Sequence, residues 1–350
     1  MNESNKSLIL ENIRSDYILR KIFYYIPENK LLNFIRYNKY IQNRIEKDIN
    51  SFREYSKIEI ELTLKLENQR EFIINILNKK DQINYHIFLN DDKEELKRIY
   101  ITKTDIAKKA KIIIEPEVNS FAQLFKNCCI NTINFIKCNR NNIYDMNSMF
   151  CDCASLEEVN FNKFNPKNVK DMSNMFHSCN ALKKVNFGKF NANNVANMSD
   201  MFSCCFLLED LNLSNFSANA GRLTSMKKMF YYCESLRKLN FPNFLTDNVK
   251  DMSYMFYRCK LLDELDLSNF NINQVKDMSH MFEGCYSLKK LKFGFVNDVN
   301  KVNIEGIFLN CNKFENNEWK EIISEKNKNK ILHQKKNMDD DENGKKCILF

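Results

Sequence analysis

The chain has 350 residues, 44% of them hydrophobic, which is enough for one extended repeat domain and a smaller second domain. Its net charge of +8 is modest and its charges are interleaved along the chain, so nucleic-acid binding is not expected. Residues 1–10 are polar, and no apolar run approaches the roughly 18 residues of a membrane span, so we expect a cytoplasmic protein. In that setting the 13 cysteines are expected to be reduced.

Residues 1–53 are predicted to be helical, because apolar residues at 18, 19, 22 and 23 form one helix face that Pro27 interrupts. The stretch 17–26, followed by Leu31 and Leu32, resembles an F-box, although the leading Leu-Pro and the later Cys-x-x-Trp equivalent of that family are absent. The resemblance implies an adaptor that holds a ubiquitin-ligase core. A plain capping or linker domain is the alternative.

Residues 54–115 are predicted to be a capping region of mixed strand and helix. Apolar and polar residues alternate from Ile58 to Leu66, which predicts a half-buried strand. Apolar runs at 72–77 and 112–114 can pair with this strand or lead into the next domain. We expect the region to cover the end of that domain, where an exposed strand edge would invite aggregation.

Residues 116–314 contain one sequence unit repeated eight times. Its most regular feature is a Met-Phe pair, found at 149–150, 175–176, 201–202, 229–230, 255–256 and 281–282. These pairs are separated by 26 residues, with one spacing of 28, and Leu124-Phe125 and Ile307-Phe308 extend the series at its two ends. Such a period predicts stacked units that bury a continuous core between them.

Each unit changes its hydrophobic period partway along. In the copy 249–270, Met252, Met255, Phe256 and Cys259 have the spacing of one face of a short helix, which Asp251 or Ser253 could cap. Leu265 and Leu267 then have the two-residue spacing of a strand. The unit is therefore predicted to be one short helix and one strand.

The stretches 168–176 and 262–270 resemble the BspA-like leucine-rich repeats of bacterial and protist surface proteins. The resemblance implies an α/β fold: a leucine-rich-repeat solenoid of about eight 26-residue rungs behind a mainly helical N-terminal capping domain. It also implies adhesion or protein recognition. Surface members of that family are secreted, whereas this chain shows no secretion signal.

One cysteine recurs at the same position in every unit, and we predict an apolar core column, since cysteine is small and often buried. The column is Cys128, Cys153, Cys179, Cys205, Cys233, Cys259, Cys285 and Cys311. Cys151 and His177 share another position in adjacent units, but two such residues do not make a zinc site. No metal and no cofactor are expected.

Charged pairs alternate in sign between the two strand leucines of successive units. We call these twelve residues the charge ladder: Glu157, Glu158, Lys183, Lys184, Glu209, Asp210, Arg237, Lys238, Asp263, Glu264, Lys289 and Lys290. Stacked parallel strands would place each pair beside two pairs of opposite charge, which favours one register. The same residues are the candidate partner-binding face.

Residues 315–326, with Trp319, Ile322 and Ile323, are predicted to form a C-terminal capping helix. Residues 327–350 are predicted to be a flexible tail that ends in Cys347-Ile348-Leu349-Phe350, a pattern for prenylation of Cys347. One prenyl chain predicts reversible attachment to the cytosolic face of a membrane.

Together these features predict a non-enzymatic protein-interaction scaffold of the leucine-rich-repeat type, reversibly attached to a membrane. The expected partner is a protein whose identity the sequence does not reveal, and no catalytic residue is predicted. Two alternatives are an F-box-like substrate adaptor of a ubiquitin ligase and a surface adhesin.

Overall fold

The protein is represented by a computed structural model that describes residues 14–16, 18, 38–45, 49–214, 216, 218, 221–241, 244–293 and 301–315. Most of the F-box-like stretch, nearly all of the predicted C-terminal capping helix and the tail with Cys347 lie outside the described residues.

The described elements comprise two helices, a capping region and the repeats. The helices are α1 (Lys39–Ile45) and α2 (Ile49–Ser56). The capping strands are β1 (Ile58–Leu64), β2 (Arg70–Phe72), β3 (Tyr85–Leu89), β4 (Glu95–Leu96), β5 (Tyr100–Thr102) and β6 (Lys109–Ile114), with short 3-10 helices at Lys79–Asn84 and Lys103–Asp105. The repeat strands are β7 (Ile130–Lys137), β8 (Glu158–Asn160), β9 (Lys184–Asn186), β10 (Asp210–Asn212), β11 (Lys238–Asn240), β12 (Glu264–Leu267) and β13 (Lys290–Phe293). Helix is thus a small part of the described residues between 14 and 115, so the prediction of a mainly helical N-terminal capping domain is wrong for this part of the chain.

The capping region joins the repeats through one sheet, whose strand order is β4-β3-β6-β1-β7-β8-β9. The predicted strand after Ile58 is present as β1, and it pairs antiparallel with β6 on one side and with β7 on the other. Ile58, Ile60 and Leu62 of β1 are buried, as the alternating pattern requires. The capping sheet therefore covers the strand edge at the start of the repeats, which would otherwise be open.

The repeats form a leucine-rich-repeat solenoid, so the predicted solenoid is confirmed. β7 to β13, here called the strand ladder, run parallel wherever they pair: β7 with β8, β8 with β9, β10 with β11, and β12 with β13. The central residue of a repeat strand, such as Val159, Leu211 or Leu265, points into the core, and its two neighbours point outward.

The second side of each repeat is a nine-residue turn segment, such as 197–205, and the stacked segments are here called the turn ladder. Single parallel bridges join the first residues of the segments in series: Ser120, Asp145, Asp171, Asn197, Ser225, Asp251, Asp277 and Asn303. In segment 197–205 the N–H groups of Met198, Asp200, Phe202 and Cys204 donate to carbonyls of the next segment at 2.7–3.1 Å. The turn segments are thus stacked by hydrogen bonds between neighbours.

The prediction of a short helix in each repeat is wrong, because the residues of the turn segment form consecutive turns. Its fourth and eighth residues have positive φ, as at Asp200 (55°) and Cys204 (62°), a conformation that a right-handed helix excludes. The proposed cap is present in altered form: the Asp251 side chain accepts a hydrogen bond from the Ser253 N–H at 2.9 Å and so starts the turns. Apolar residues recur at the three- and four-residue spacing of a helix because the consecutive turns bury the same side of the segment.

Inside the solenoid, side chains from equivalent positions stack into continuous columns. The phenylalanines of the turn ladder lie with ring centroids 5.2–5.5 Å apart and interplanar angles of 3–13° from Phe125 to Phe308. The methionine columns beside them, which include Met201 and Met229, are fully buried. Aromatic stacking and apolar burial therefore both act between repeats.

The cysteine column is buried as predicted except at Cys311, which is partly buried, and each thiol also makes a hydrogen bond. Cys205 Sγ donates to the Phe176 carbonyl of the preceding repeat at 3.2 Å, and Cys179 Sγ to the Phe150 carbonyl at 3.1 Å. The same contact recurs at 2.8–3.2 Å at Cys153, Cys233, Cys259, Cys285 and Cys311. The recurrence of cysteine thus reflects a donor as well as a volume. All twelve cysteines described are free thiols.

We expect Cys205→Val to lower the free energy of unfolding by about 1 kcal/mol, because valine fills the space but cannot donate to the Phe176 carbonyl. Cys205→Ala is expected to cost about 2 kcal/mol, since it also leaves a cavity. Urea unfolding followed by circular dichroism measures both. The matched control is Cys204→Ala in the same turn segment, where the side chain is only partly buried. A neutral valine variant would mean that volume alone selects cysteine.

Candidate functional site

The charge ladder lies along the outward side of the strand ladder. In each repeat its two residues stand at the start of the strand, just before the core-facing Val or Leu. Its members in β9 to β13 are exposed, and the side chains of Glu157 and Glu158 are 40% and 44% exposed. The parallel strands thus bring the predicted residues onto one continuous surface.

Four ion pairs form on this surface, in two places. Between the first two charged pairs of the ladder, Lys183 Nζ lies 2.8 Å from Glu157 Oε2, and Lys184 Nζ lies 2.9 Å from Glu158 Oε1. The hydrogen bond from Lys183 holds the pKa of Glu157 below its usual range. Between β12 and β13, Lys290 Nζ lies 2.5 Å from Glu264 Oε1, and Lys292 Nζ lies 3.0 Å from Asp266 Oδ2. Cross-strand charge pairing is therefore present at both ends of the ladder.

The middle of the charge ladder is different. Asp210 of β10 is in register with Lys238 of β11, yet among the residues that the structure describes no ion pair involves Glu209, Asp210, Arg237 or Lys238. All four side chains are exposed. Four charges in the centre of the surface are therefore available to a partner.

The expectation that each charged pair lies between two pairs of opposite charge is corrected in part. β9 and β10 are neighbours, as are β11 and β12, but no strand pairing joins them, and the sheet is divided at these two places. Each charged pair therefore has one hydrogen-bonded neighbour of opposite charge. The strand hydrogen bonds connect each acidic strand to the basic strand that follows it.

A double-mutant cycle tests this one-sided pairing. We expect Glu158 and Lys184 to couple by about 0.5 kcal/mol when each is replaced by alanine, because they are exposed partners on bonded strands. Lys184 and Asp210, on strands without pairing, are expected to couple much more weakly. Urea unfolding of the single and double variants gives both values. Equal coupling in the two cycles would show that the strand pairing does not govern the charges.

A cavity of about 250 Å³ continues the same surface at its N-terminal end. Its lining residues come from β1, β6, β7 and the turn after β3, and include Glu61, Thr63, Lys109 and Thr132. Thr132 is in register with Glu158, so the cavity adjoins the charge ladder directly. The hydroxyls of Thr63 and Thr132 lie 2.8 Å apart in its wall. The candidate surface thus has a polar recess at one end.

The thiols do not have the character of reactive groups. The Cys151 thiol donates to the carboxylate of Asp152 at 3.2 Å, and burial together with this carboxylate raises its pKa to about 12. Burial also raises the pKa of Cys153 to about 12. A raised pKa opposes the thiolate that a nucleophile or a metal ligand needs. Within the described part of the chain, no group of three His, Cys, Asp or Glu side chains is placed to hold a metal ion.

One group of surface residues was missed by the sequence reasoning. Tyrosines at 231, 232, 254 and 257 lie together on the outer side of the turn ladder, with Lys228 and Arg258 over their rings. The sequence does carry a signal for this group, because its tyrosines occupy positions of the repeat that lie outside the buried apolar pattern.

A solenoid with a parallel strand ladder on one side and a turn ladder on the other defines a repeat protein of the leucine-rich-repeat type. The model of the family described as "Mycoplasma protein of unknown function, DUF285" matches residues 119–238 and 206–322. These matches together span more than half of the chain, and the chain belongs to this family.

A solved structure of a leucine-rich repeat protein from Bacteroides ovatus ATCC 8483 is 21% identical, with a TM-score of 0.23. The match covers 49% of this chain and 50% of that protein. No curated protein matches. Among the described residues no helix is long and apolar enough to cross a membrane.

Proposed function

We propose that this chain is a non-enzymatic scaffold that binds a protein partner through the outward side of the strand ladder, centred on β10 and β11. The observation that carries the proposal is the break in the charge ladder at Glu209, Asp210, Arg237 and Lys238. Ion pairs form on both sides of this centre, at Glu157, Glu158, Lys183 and Lys184 and at Glu264 and Lys290. The four central side chains, like Asp263 and Lys289, are exposed and in no ion pair among the described residues.

The charges of this centre favour a protein over a nucleic acid. Glu209 and Asp210 carry two negative charges, and Arg237 and Lys238 carry two positive charges, in adjacent strands. A nucleic acid needs a continuous positive surface, which these carboxylates interrupt. A protein surface can present charges of both signs in complementary order, which gives specificity and speeds association. Parallel strands also hold the four residues on a rigid base.

The raised pKa values of the buried cysteines support a role in binding over one in catalysis, since they disfavour thiolate nucleophiles in the solenoid. The cavity lined by Glu61, Lys109 and Thr132 adds a recess in which a partner side chain can be held. Binding would then extend from the cavity to the centre of the charge ladder.

Affinity purification of the full chain tests the proposal by comparing two variants with the same loss of charge. Arg237→Ala with Lys238→Ala removes the central cations, and Lys163→Ala with Lys167→Ala removes two exposed lysines outside the strands. We expect a protein recovered by the wild type and by the control variant to be depleted at least tenfold by the first variant, a loss of about 1.4 kcal/mol in binding. Equal recovery by all three chains would contradict the proposal.

A further inference from the structure

We infer that the turn ladder carries a second interaction surface, which binds an acidic segment of a partner protein. The surface consists of Lys228, Tyr231, Tyr232, Tyr254, Tyr257 and Arg258, here called the tyrosine patch. It belongs to the turn segments 225–233 and 251–259 and is distinct from the strand ladder.

The tyrosines form a continuous aromatic surface across two repeats. The rings of Tyr231 and Tyr257 are stacked with centroids 5.0 Å apart, and Tyr232 meets Tyr231 edge to face at 4.6 Å. Tyr254 lies 5.6 Å from Tyr257 and stacks on His280 of the next repeat at 4.8 Å. All these rings are partly exposed. Tyrosine is among the residues enriched at protein interfaces, because it adds contact area at a low entropy cost.

Two cations are held against these rings. Lys228 Nζ lies 5.2 Å from the ring centroid of Tyr231, and the Arg258 guanidinium lies 5.3 Å from that of Tyr232 and 5.7 Å from that of Tyr257. All three distances fit cation–π contacts, which fix the charged groups in place without neutralising them. The cations are therefore positioned before any partner arrives.

Neighbouring charges on the same side are already paired, whereas these two are not. Lys260 pairs with Glu234 at 2.7 Å, and His280 is hydrogen-bonded to Glu283 at 2.6 Å. Among the described residues no ion pair involves Lys228 or Arg258.

Burial raises the pKa of the Asp200 carboxyl in the preceding repeat, an effect that Lys228 opposes, but no ion pair joins these two among the described residues. A carboxylate from outside the chain is the complementary ligand for the two cations.

The backbone of the patch is locally strained. Lys228, Tyr232, Tyr254 and Arg258 all have positive φ, between 54° and 58°. The same positions in earlier repeats are held by residues that tolerate this conformation better, among them Asn127, Asp152, Asn174 and Asp200. Bulky residues here carry a local conformational cost, and such costs are concentrated at functional sites.

Two glycines in the following repeats make room for the surface. A Cβ at Gly284 would lie 3.0 Å from Arg258 Cγ, and a Cβ at Gly306 would lie 2.4 Å from His280 Nδ1. Alanine at Gly306 would force the His280 ring to move, and alanine at Gly284 would shift the Arg258 side chain by a few tenths of an ångström. The arrangement of the patch and of His280 thus depends on residues of four successive repeats.

Fluorescence anisotropy with a labelled decapeptide of alternating Glu and Tyr tests the inference on the full chain. We expect the wild type to bind this probe, and Lys228→Ala with Arg258→Ala to weaken binding at least tenfold. The control is Lys163→Ala with Lys167→Ala, which lies outside both surfaces, removes the same charge and is expected to leave binding unchanged. A decapeptide of alternating Gln and Tyr is expected not to bind.

Equal weakening by both variants would reduce the effect to general electrostatics and overturn the inference, as would failure of the acidic peptide to bind. Displacement of the peptide by vesicles rich in phosphatidylserine, with direct vesicle binding that depends on Arg258, would assign the patch to a membrane and also overturn it. Because the proposed function concerns the strand ladder and is tested by Arg237→Ala with Lys238→Ala, failure of this inference leaves it untouched.

Discussion

Replacing Phe202 with alanine is expected to lower the free energy of unfolding by about 4 kcal/mol. Phe202 is fully buried, and its ring stacks on Phe176 at 5.2 Å on one side and on Phe230 at 5.5 Å on the other. Removal of the ring therefore breaks the aromatic column in the middle and leaves a cavity between three repeats. The loss acts on two interfaces at once, because each repeat of a solenoid is stabilised chiefly by its neighbours.

Urea unfolding followed by circular dichroism measures this loss, and Phe206→Ala is the matched control. Phe206 belongs to the same repeat, but its side chain is 37% exposed and lies outside the column. The control is expected to cost less than about 1 kcal/mol. If the two variants were destabilised equally, the stacked column would not be the main link between repeats. A second transition in the unfolding curve of Phe202→Ala would show that the two halves of the solenoid had become uncoupled.

The columns of the solenoid could be predicted from the sequence, whereas the backbone that carries them could not. A repeat of 26 residues places Cys179, Cys205 and the Met-Phe pairs at equivalent positions, and stacking then follows from geometry alone. The turn segments were mistaken for helices because spacings of three and four residues also arise when successive turns bury one side. The distinguishing signal lies at the fourth and eighth positions, where Asn, Asp and Gly recur, as at Asn174 and Gly306.

The charge ladder could be placed on one surface from the sequence, but its pairing could not. Alternation of sign predicts attraction between every two neighbours, and it does not say which neighbouring strands are hydrogen-bonded. The breaks between β9 and β10 and between β11 and β12 depend on backbone geometry that side-chain patterns do not encode. For the same reason the unpaired centre at Asp210 and Lys238, on which the proposed function rests, emerged only from the structure.

Besides the pairing of β1 with β7, one arginine ties the capping region to the solenoid, and its removal is the second large effect that we expect. Arg140 follows β7 and reaches the segment between β6 and the first turn segment. Its Nη1 donates to the carbonyl of Pro116 at 2.7 Å and to that of Val118, and its Nη2 donates to the carbonyl of Glu115 at 3.0 Å. Burial lowers the pKa of Arg140 below its ordinary value, but the guanidinium remains charged at neutral pH.

Arg140→Met is expected to lower the free energy of unfolding by about 3 kcal/mol, because it leaves the carbonyls of the buried residues Glu115 and Val118 without this donor. Arg140→Lys is expected to recover only part of the loss, since one ammonium group cannot reproduce the planar fork. Arg222→Met, at an exposed arginine of the solenoid, is the control and is expected to be nearly neutral.

Hydrogen exchange shows where the loss falls. In Arg140→Met we expect amides of β1 and β6 to lose protection while those of β10 and β11 retain it, because the arginine joins the capping sheet to the first repeat. Uniform loss in all four strands would mean that the capping region and the solenoid unfold as one unit. The cavity at Glu61, Lys109 and Thr132 is lined by strands from both sides of this junction, so its shape depends on the same contacts. We therefore expect Arg140→Met to lower the affinity for any partner that contacts both the cavity and the charge ladder.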